Sequence, residues 1–235
     1  MKFKAAIFDL DGTLIDSTWV WDEMMKDFHK EYGIKSDLNY VNETVHMPPS
    51  EFVEFIKREH GLKESVFEIK SKIEKIAAKL YKTKVPLKKG VYKLLSLMKK
   101  NSIKMAVATS CFVELTEIIL KKWKIYDMFS CFMYSEKLNT NKKTAYLYLA
   151  AAEKLNVPKE QCAVFEDILI PLKAVKEQCM GYFAVEDKRR DEEIKKELKL
   201  NADYYIKDFD EFIEEGSFAK FFSVKGEAIW INFYL

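Results

Sequence analysis

Asp9 and Asp11 stand two residues apart in the run Phe8-Asp9-Leu10-Asp11-Gly12-Thr13-Leu14-Ile15-Asp16-Ser17. The apolar stretch before them, Ala5-Ala6-Ile7-Phe8, predicts a short buried strand, and Gly12 ends it. In an extended chain residues i and i+2 point the same way. Both carboxylates are therefore expected to face one small space at the carboxyl end of a strand, where open α/β sheets bind their ligands. Two carboxylates that close repel each other and call for a cation beside them. A hard ion such as Mg²⁺ suits that donor set, with phosphate oxygens completing its shell.

Spacing alone is weak evidence, and the chain contains its own control. Asp208-Phe209-Asp210 has the same spacing after the apolar run Tyr204-Tyr205-Ile206. There the pattern reads as a helix start, with Asp208 as N-cap and Glu211 three residues on. The Gly12-Thr13 continuation and the place on the first strand set the Asp9–Asp11 pair apart.

The run from Phe8 to Ser17 resembles the first motif of the haloacid dehalogenase superfamily of phosphotransferases. That resemblance implies three further motifs, and each has a counterpart. Thr109-Ser110 follows the strand-like Met105-Ala106-Val107-Ala108 and corresponds to the phosphate-binding hydroxyl; by itself the pair would read as a cap for the next helix. A lysine is implied shortly before Ala151-Ala152-Glu153-Lys154-Leu155, which points to Lys142 in Asn141-Lys142-Lys143. The Gly and Pro that usually flank it are absent, so Lys143 stays open as the competitor. Val164-Phe165-Glu166-Asp167 supplies the acidic close of a strand, although Ile168 and Pro171 depart from the usual loop after it.

By this resemblance Asp9 attacks phosphorus and Asp11 serves as acid and base. Thr109, Ser110 and Lys142 bind the phosphoryl group. Mg²⁺ is held by Asp9, Asp11 (through its carbonyl), Glu166 and Asp167. The implied activity is hydrolysis of a small phosphomonoester through an aspartyl phosphate. Asp11 favours phosphate esters over carbon–halogen bonds, since a departing halide needs no proton. The alternatives are a β-phosphoglucomutase-like transfer between sugar hydroxyls and a non-catalytic binding module. A receiver-like phosphoaspartate domain fits less well, because it would lack the Gly12-Thr13 continuation and an inserted helical segment.

Composition bounds the other classes. Of 235 residues, 49% are hydrophobic, with 17 Phe and 12 Tyr, so a sizeable core can form. Charge is nearly balanced, 39 basic against 37 acidic, with no basic stripe for nucleic acid. No apolar run approaches the ~20 residues that span a bilayer. The start, Met1-Lys2-Phe3-Lys4, shows no signal-peptide pattern. The four cysteines, Cys111, Cys131, Cys162 and Cys179, form no C-x-x-C pair and read as free thiols. A cytoplasmic enzyme, monomeric or weakly dimeric, with no nucleic-acid or membrane partner, is expected.

The elements that must carry these residues alternate from Ile103 onward, which predicts a Rossmann-like, mostly parallel sheet. Strands are expected at 103–108, 131–134, 162–165, 182–185 and, at the edge, 204–206. Helices are expected at 113–123, 144–155 and 172–179. Residues 18–84 instead show helical periodicity, with stops at Gly33 and Gly61, a start at Pro48-Pro49-Ser50 capped by Ser50, and a long amphipathic helix over 65–82. The expected organisation is an α/β core over 1–16 and 86–215, a helical cap domain over 17–85, and a C-terminal extension over 216–235 packing on the core. Trp19 and Trp21, on the first cap helix, either face substrate or fill the cap. The aromatic tail, with a turn at Lys225-Gly226, reads as an edge hairpin covering apolar surface, with a dimer contact as the second reading.

Overall fold

The computed structural model describes residues 2–34, 44 and 46–223. Six strands form one parallel sheet: β1 (Ala5–Phe8), β2 (Lys104–Thr109), β3 (Cys131–Tyr134), β4 (Cys162–Glu166), β5 (Gly181–Val185) and β6 (Tyr204–Ile206), in the order 3-2-1-4-5-6. All four residues of β1 are buried, because parallel strands at the centre of a sheet are covered on both faces. Alternate residues feed two cores. Ala6, Phe8, Phe165 and Phe183 face one side, and Ala5, Ile7, Val164 and Tyr182 the other. The first core includes α4 (Val91–Lys100) and α5 (Val113–Lys122). The second is covered by α6 (Tyr146–Leu155), α7 (Leu172–Glu177) and α8 (Glu192–Asn201).

Strand order reverses at β1, whose neighbours are β2 and β4. Phe8 lies level with Val107 on one side and Phe165 on the other. That register puts Asp9, just past β1, beside Glu166 at the end of β4, with the Asp9 N–H donating to the Phe165 carbonyl at 3.0 Å. Ligands of doubly wound sheets sit at such a reversal, outside the carboxyl ends of the strands.

Between β1 and β2 the chain runs through α1 (Thr18–Tyr32), α2 (Pro49–Glu59) and α3 (Val66–Thr83) before reaching α4. Gly33 closes α1 in the left-handed conformation, φ 64°. Ser65 caps α3 in a reciprocal box with Glu68. Along α3 the buried residues Ile69, Ile73, Ala77, Leu80 and Tyr81 form one stripe. Buried side chains of α1, α2 and α3 continue without a break into the core on one sheet face.

Two local expectations change. Ser50 does not cap α2. The helix begins at Pro49, whose missing N–H suits a first turn, and the Ser50 hydroxyl instead donates to Glu136 at 2.9 Å. The tail after Gly216 opens as a helix, α10 (Ser217–Phe221), following α9 (Phe209–Glu214), rather than as a strand. Its Phe218 and Phe222 stack one turn apart, 5.4 Å between centroids, and Phe222 bridges to Phe3. The Lys225-Gly226 turn lies outside the described residues. Trp21 stacks on Phe112 and meets Phe52 edge-on, while Trp19 donates its ring N–H to the Asp16 carbonyl.

Candidate active site

Lys142 is the pivot of the site. It comes from the loop between β3 and α6 and is 3% exposed. Its ammonium lies 2.6 Å from Asp9 Oδ1 and 2.5 Å from Glu166 Oε1. Burial alone would lower its pKa, but the two carboxylates outweigh that and hold it above the usual lysine value. Lys143, by contrast, is exposed, and its backbone N–H donates to Asn141. Geometry therefore places Lys142, not its neighbour, among the carboxylates.

Glu166 and Asp167 are oriented by several donors. The Tyr148 hydroxyl and the N–H groups of Asp167 and Ile168 donate to Glu166. Arg190 donates to Asp167 Oδ2 from Nε at 3.0 Å and Nη2 at 2.7 Å, and Thr13 donates to Oδ1 at 3.3 Å. Burial pushes Asp9 well above the ordinary carboxylate range; Lys142 opposes the shift, and Glu166 and Asp167 add to it. Burial likewise raises Glu166.

Asp11 has a different set of partners. Past β1 the chain leaves the extended form, because the Leu10 carbonyl accepts from the N–H groups of Thr13, Leu14 and Ile15. Ser17 donates to Asp11 Oδ1 at 2.5 Å, and the Tyr81 hydroxyl donates to the same oxygen. Burial raises the Asp11 pKa, and these two hydrogen bonds partly offset it. A carboxyl that keeps its proton more readily is suited to act as an acid.

Thr109 and Ser110 stand at the end of β2, next to β1. Thr109 Oγ1 accepts the Cys111 N–H at 3.0 Å, leaving its own proton to donate. Ser110 Oγ is buried without a partner. Among the described residues neither is hydrogen-bonded to the carboxylate cluster.

This constellation lies within a stretch, residues 6–185, that matches the family model for haloacid dehalogenase-like hydrolases. The chain belongs to that family. It is 24% identical over 173 residues to a phosphorylated carbohydrates phosphatase of Thermotoga maritima, covering 74% of this chain and 80% of that one. It is 29% identical over 168 residues to hexitol phosphatase B of Escherichia coli, covering 71% and 76%. Among solved structures, CbbY of Rhodobacter sphaeroides in complex with phosphate superposes with a TM-score of 0.77 at 19% identity, over 89% of this chain and 96% of that one. Beta-phosphoglucomutase of Clostridium difficile gives 0.73 at 20%, over 91% and 96%. The parallel sheet is the fold of these haloacid dehalogenase-like structures.

Enzymes of this family normally use a divalent cation, and the donor set fits one. Asp9, Glu166 and Asp167 can each present a carboxylate oxygen, all within 4.8 Å of one another. Gly12, at φ 81°, lets the backbone close on this group, since a Cβ there would fall 2.5 Å from Asp167 Oδ2. The Asp11 side chain lies outside the cluster, so only its carbonyl is left for the role the family resemblance implies.

Sequence reading missed Ser17, Tyr81, Tyr148 and Arg190. Ser17 was inside the quoted motif without a role. Tyr81 and Tyr148 look like core positions of amphipathic helices. Arg190 stands in Asp187-Lys188-Arg189-Arg190-Asp191, a charge run that reads as solvated surface. No described helix is long and apolar enough to cross a membrane.

Proposed function

We propose that the chain is a Mg²⁺-dependent hydrolase of small phosphomonoesters that works through an aspartyl phosphate on Asp9. The observation that carries this reading is Lys142 buried between Asp9 and Glu166. A buried cation beside a buried carboxylate screens that carboxylate from an incoming anion. It can then compensate the charge of the transferring phosphoryl group. The relatives that act on phosphorylated carbohydrates and hexitols support a sugar or polyol phosphate as substrate.

Asp9, Glu166, Asp167 and the Asp11 carbonyl would hold Mg²⁺, which when bound supplies further positive charge to the phosphoryl oxygens. An Asp9 oxygen forms a bond to phosphorus as the bond to the substrate's ester oxygen breaks. The Asp11 proton passes to that departing oxygen, giving the free alcohol. Asp11, now a carboxylate, takes a proton from water, whose oxygen bonds to phosphorus. The bond to Asp9 breaks and inorganic phosphate leaves. The Thr109 and Ser110 hydroxyls donate to phosphoryl oxygens. Residues 17–85 act as a cap that closes over the substrate and excludes bulk water.

Water is the final acceptor in this proposal. A mutase must hold a bisphosphate and needs a cap cation for its distal phosphate. The stretch His46-Met47-Pro48-Pro49-Ser50-Glu51 has no Arg or Lys, and burial lowers the pKa of His46, keeping its imidazole neutral. Lys57 donates to the Leu62 and Glu64 carbonyls, and Lys70 is paired with Glu136. A panel of sugar and polyol phosphates, assayed for free phosphate with Mg²⁺ and with excess chelator, tests the reading. Release with Mg²⁺ alone supports it, and equal release in chelator contradicts it.

A further inference from the structure

Both chain crossings between the sheet and the helical insert meet at one oxygen atom. Ser17 immediately precedes α1, the first insert helix, and Tyr81 lies in the last turn of α3, the final one. Their hydroxyls both donate to Asp11 Oδ1. Tyr81 is fully buried, and its hydroxyl also lies 3.7 Å from Cys111 Sγ. The turn that carries it is tied to α5, because Lys122 donates to the carbonyls of Tyr81 (3.2 Å) and Val85 (2.9 Å) and Trp123 donates to Val85 (3.3 Å).

A carboxyl with two donors on one oxygen has its plane fixed, and the other oxygen becomes the one that exchanges a proton. We infer that Tyr81 is a positioning residue for Asp11, holding Oδ1 so that Oδ2 faces the departing oxygen of the substrate. This inference rests on the acid–base role proposed for Asp11. It adds that the insert reaches the chemistry through a hydrogen bond, and so its seating on the core sets the geometry of proton transfer. A proton-transfer group held loosely loses rate without losing substrate affinity, since orientation counts in the transition state and not in the bound ground state.

The leaving group separates positioning from general damage. p-Nitrophenolate departs as a stable anion and needs little help from an acid, whereas a polyol alkoxide must be protonated. The experiment compares wild type, Tyr81→Phe and Ser17→Ala with Mg²⁺, using p-nitrophenyl phosphate and glucitol 6-phosphate, and follows first-turnover release of each alcohol. Tyr81→Phe keeps the buried ring and removes only the donor. It is expected to lose about 10–10²-fold with glucitol 6-phosphate, part of the usual scale of acid–base catalysis. The loss with p-nitrophenyl phosphate should stay within about threefold, and KM for both should be nearly unchanged. Ser17→Ala, which removes the other donor, should show the same asymmetry. Equal losses with both esters, or no loss in an active Tyr81→Phe enzyme, would overturn the positioning role alone. A wild type that releases neither alcohol would overturn the hydrolase reading, and this inference with it.

Discussion

Arg190 places two N–H donors, Nε and Nη2, on a single oxygen of Asp167, at 3.0 and 2.7 Å. Asp167 is 1% exposed and Arg190 9% exposed. The guanidinium thus neutralises one carboxylate of a cluster that a divalent cation would also neutralise. Removing one partner of a buried pair costs about 3–5 kcal/mol, because the other charge is left uncompensated. Arg190→Met should therefore lower the melting temperature of the metal-free protein by several degrees. It should also gain more from added Mg²⁺ than wild type does. Thermal melts in chelator and in Mg²⁺ measure both, and a smaller Mg²⁺-induced gain in the variant would count against this account.

Lys142 and Lys143 are neighbours with opposite expectations. Lys142→Met removes the cation between Asp9 and Glu166 and should abolish measurable phosphatase activity. Lys143→Ala touches only an exposed side chain and should shift stability by no more than about 0.5 kcal/mol, with near-normal turnover. The same phosphate-release assay on both variants decides, and an inactive Lys143→Ala beside an active Lys142→Met would reverse the assignment.

Acid should favour the wild-type carboxyl at position 11. Burial raises the Asp11 pKa in the folded state above the ordinary value of about 3.9. Such a group contributes stability that is complete below about pH 4 and is lost as pH rises through the raised native value. The metal-free wild type should thus fall behind Asp11→Asn as pH rises from about 4 to about 7. Urea unfolding of both proteins in chelator gives the difference at each pH, and a difference that moves the opposite way would contradict the burial argument.

Transfer to water predicts a product ratio. With β-glucose 1-phosphate, a trace of the bisphosphate and Mg²⁺, free phosphate should appear faster than glucose 6-phosphate. The neutral, buried His46 offers no charge to retain a bisphosphate. Glucose 6-phosphate forming much faster than free phosphate would establish the mutase alternative.

The sheet was legible because its strands are short apolar runs bounded by turn residues. Cys131–Tyr134 and Tyr204–Ile206 match their expected limits, with Tyr204–Ile206 at the sheet edge. Asp9, Glu166 and Asp167 were legible because each directly follows or ends such a run, and Asp11 through its two-residue spacing from Asp9. The lysine was ambiguous by one residue, since its loop lacks the usual Gly and Pro, and what separates Lys142 from Lys143 is its burial between Asp9 and Glu166, a contact made only in the fold. Tyr81 and Arg190 were not legible. Their partners, Asp11 and Asp167, lie 70 and 23 residues away, and no local pattern encodes such a contact. The helix at Val91–Lys100 was also missed. The tail misled through its aromatic content: aromatic residues favour strands, but Phe218 and Phe222 stack at helical spacing.

The nucleophile itself gives the most direct test. Asp11→Asn keeps Asp9 but removes the group that activates water, so a phosphorylated enzyme should accumulate. The measurement is intact-protein and peptide mass spectrometry after incubating Asp11→Asn with acetyl phosphate and Mg²⁺, with Asp9→Asn treated in parallel. The account predicts one added phosphoryl group on Asp9 in the first protein and none in the second. A phosphoryl group on the Asp9→Asn protein, or on any residue other than Asp9, would contradict it.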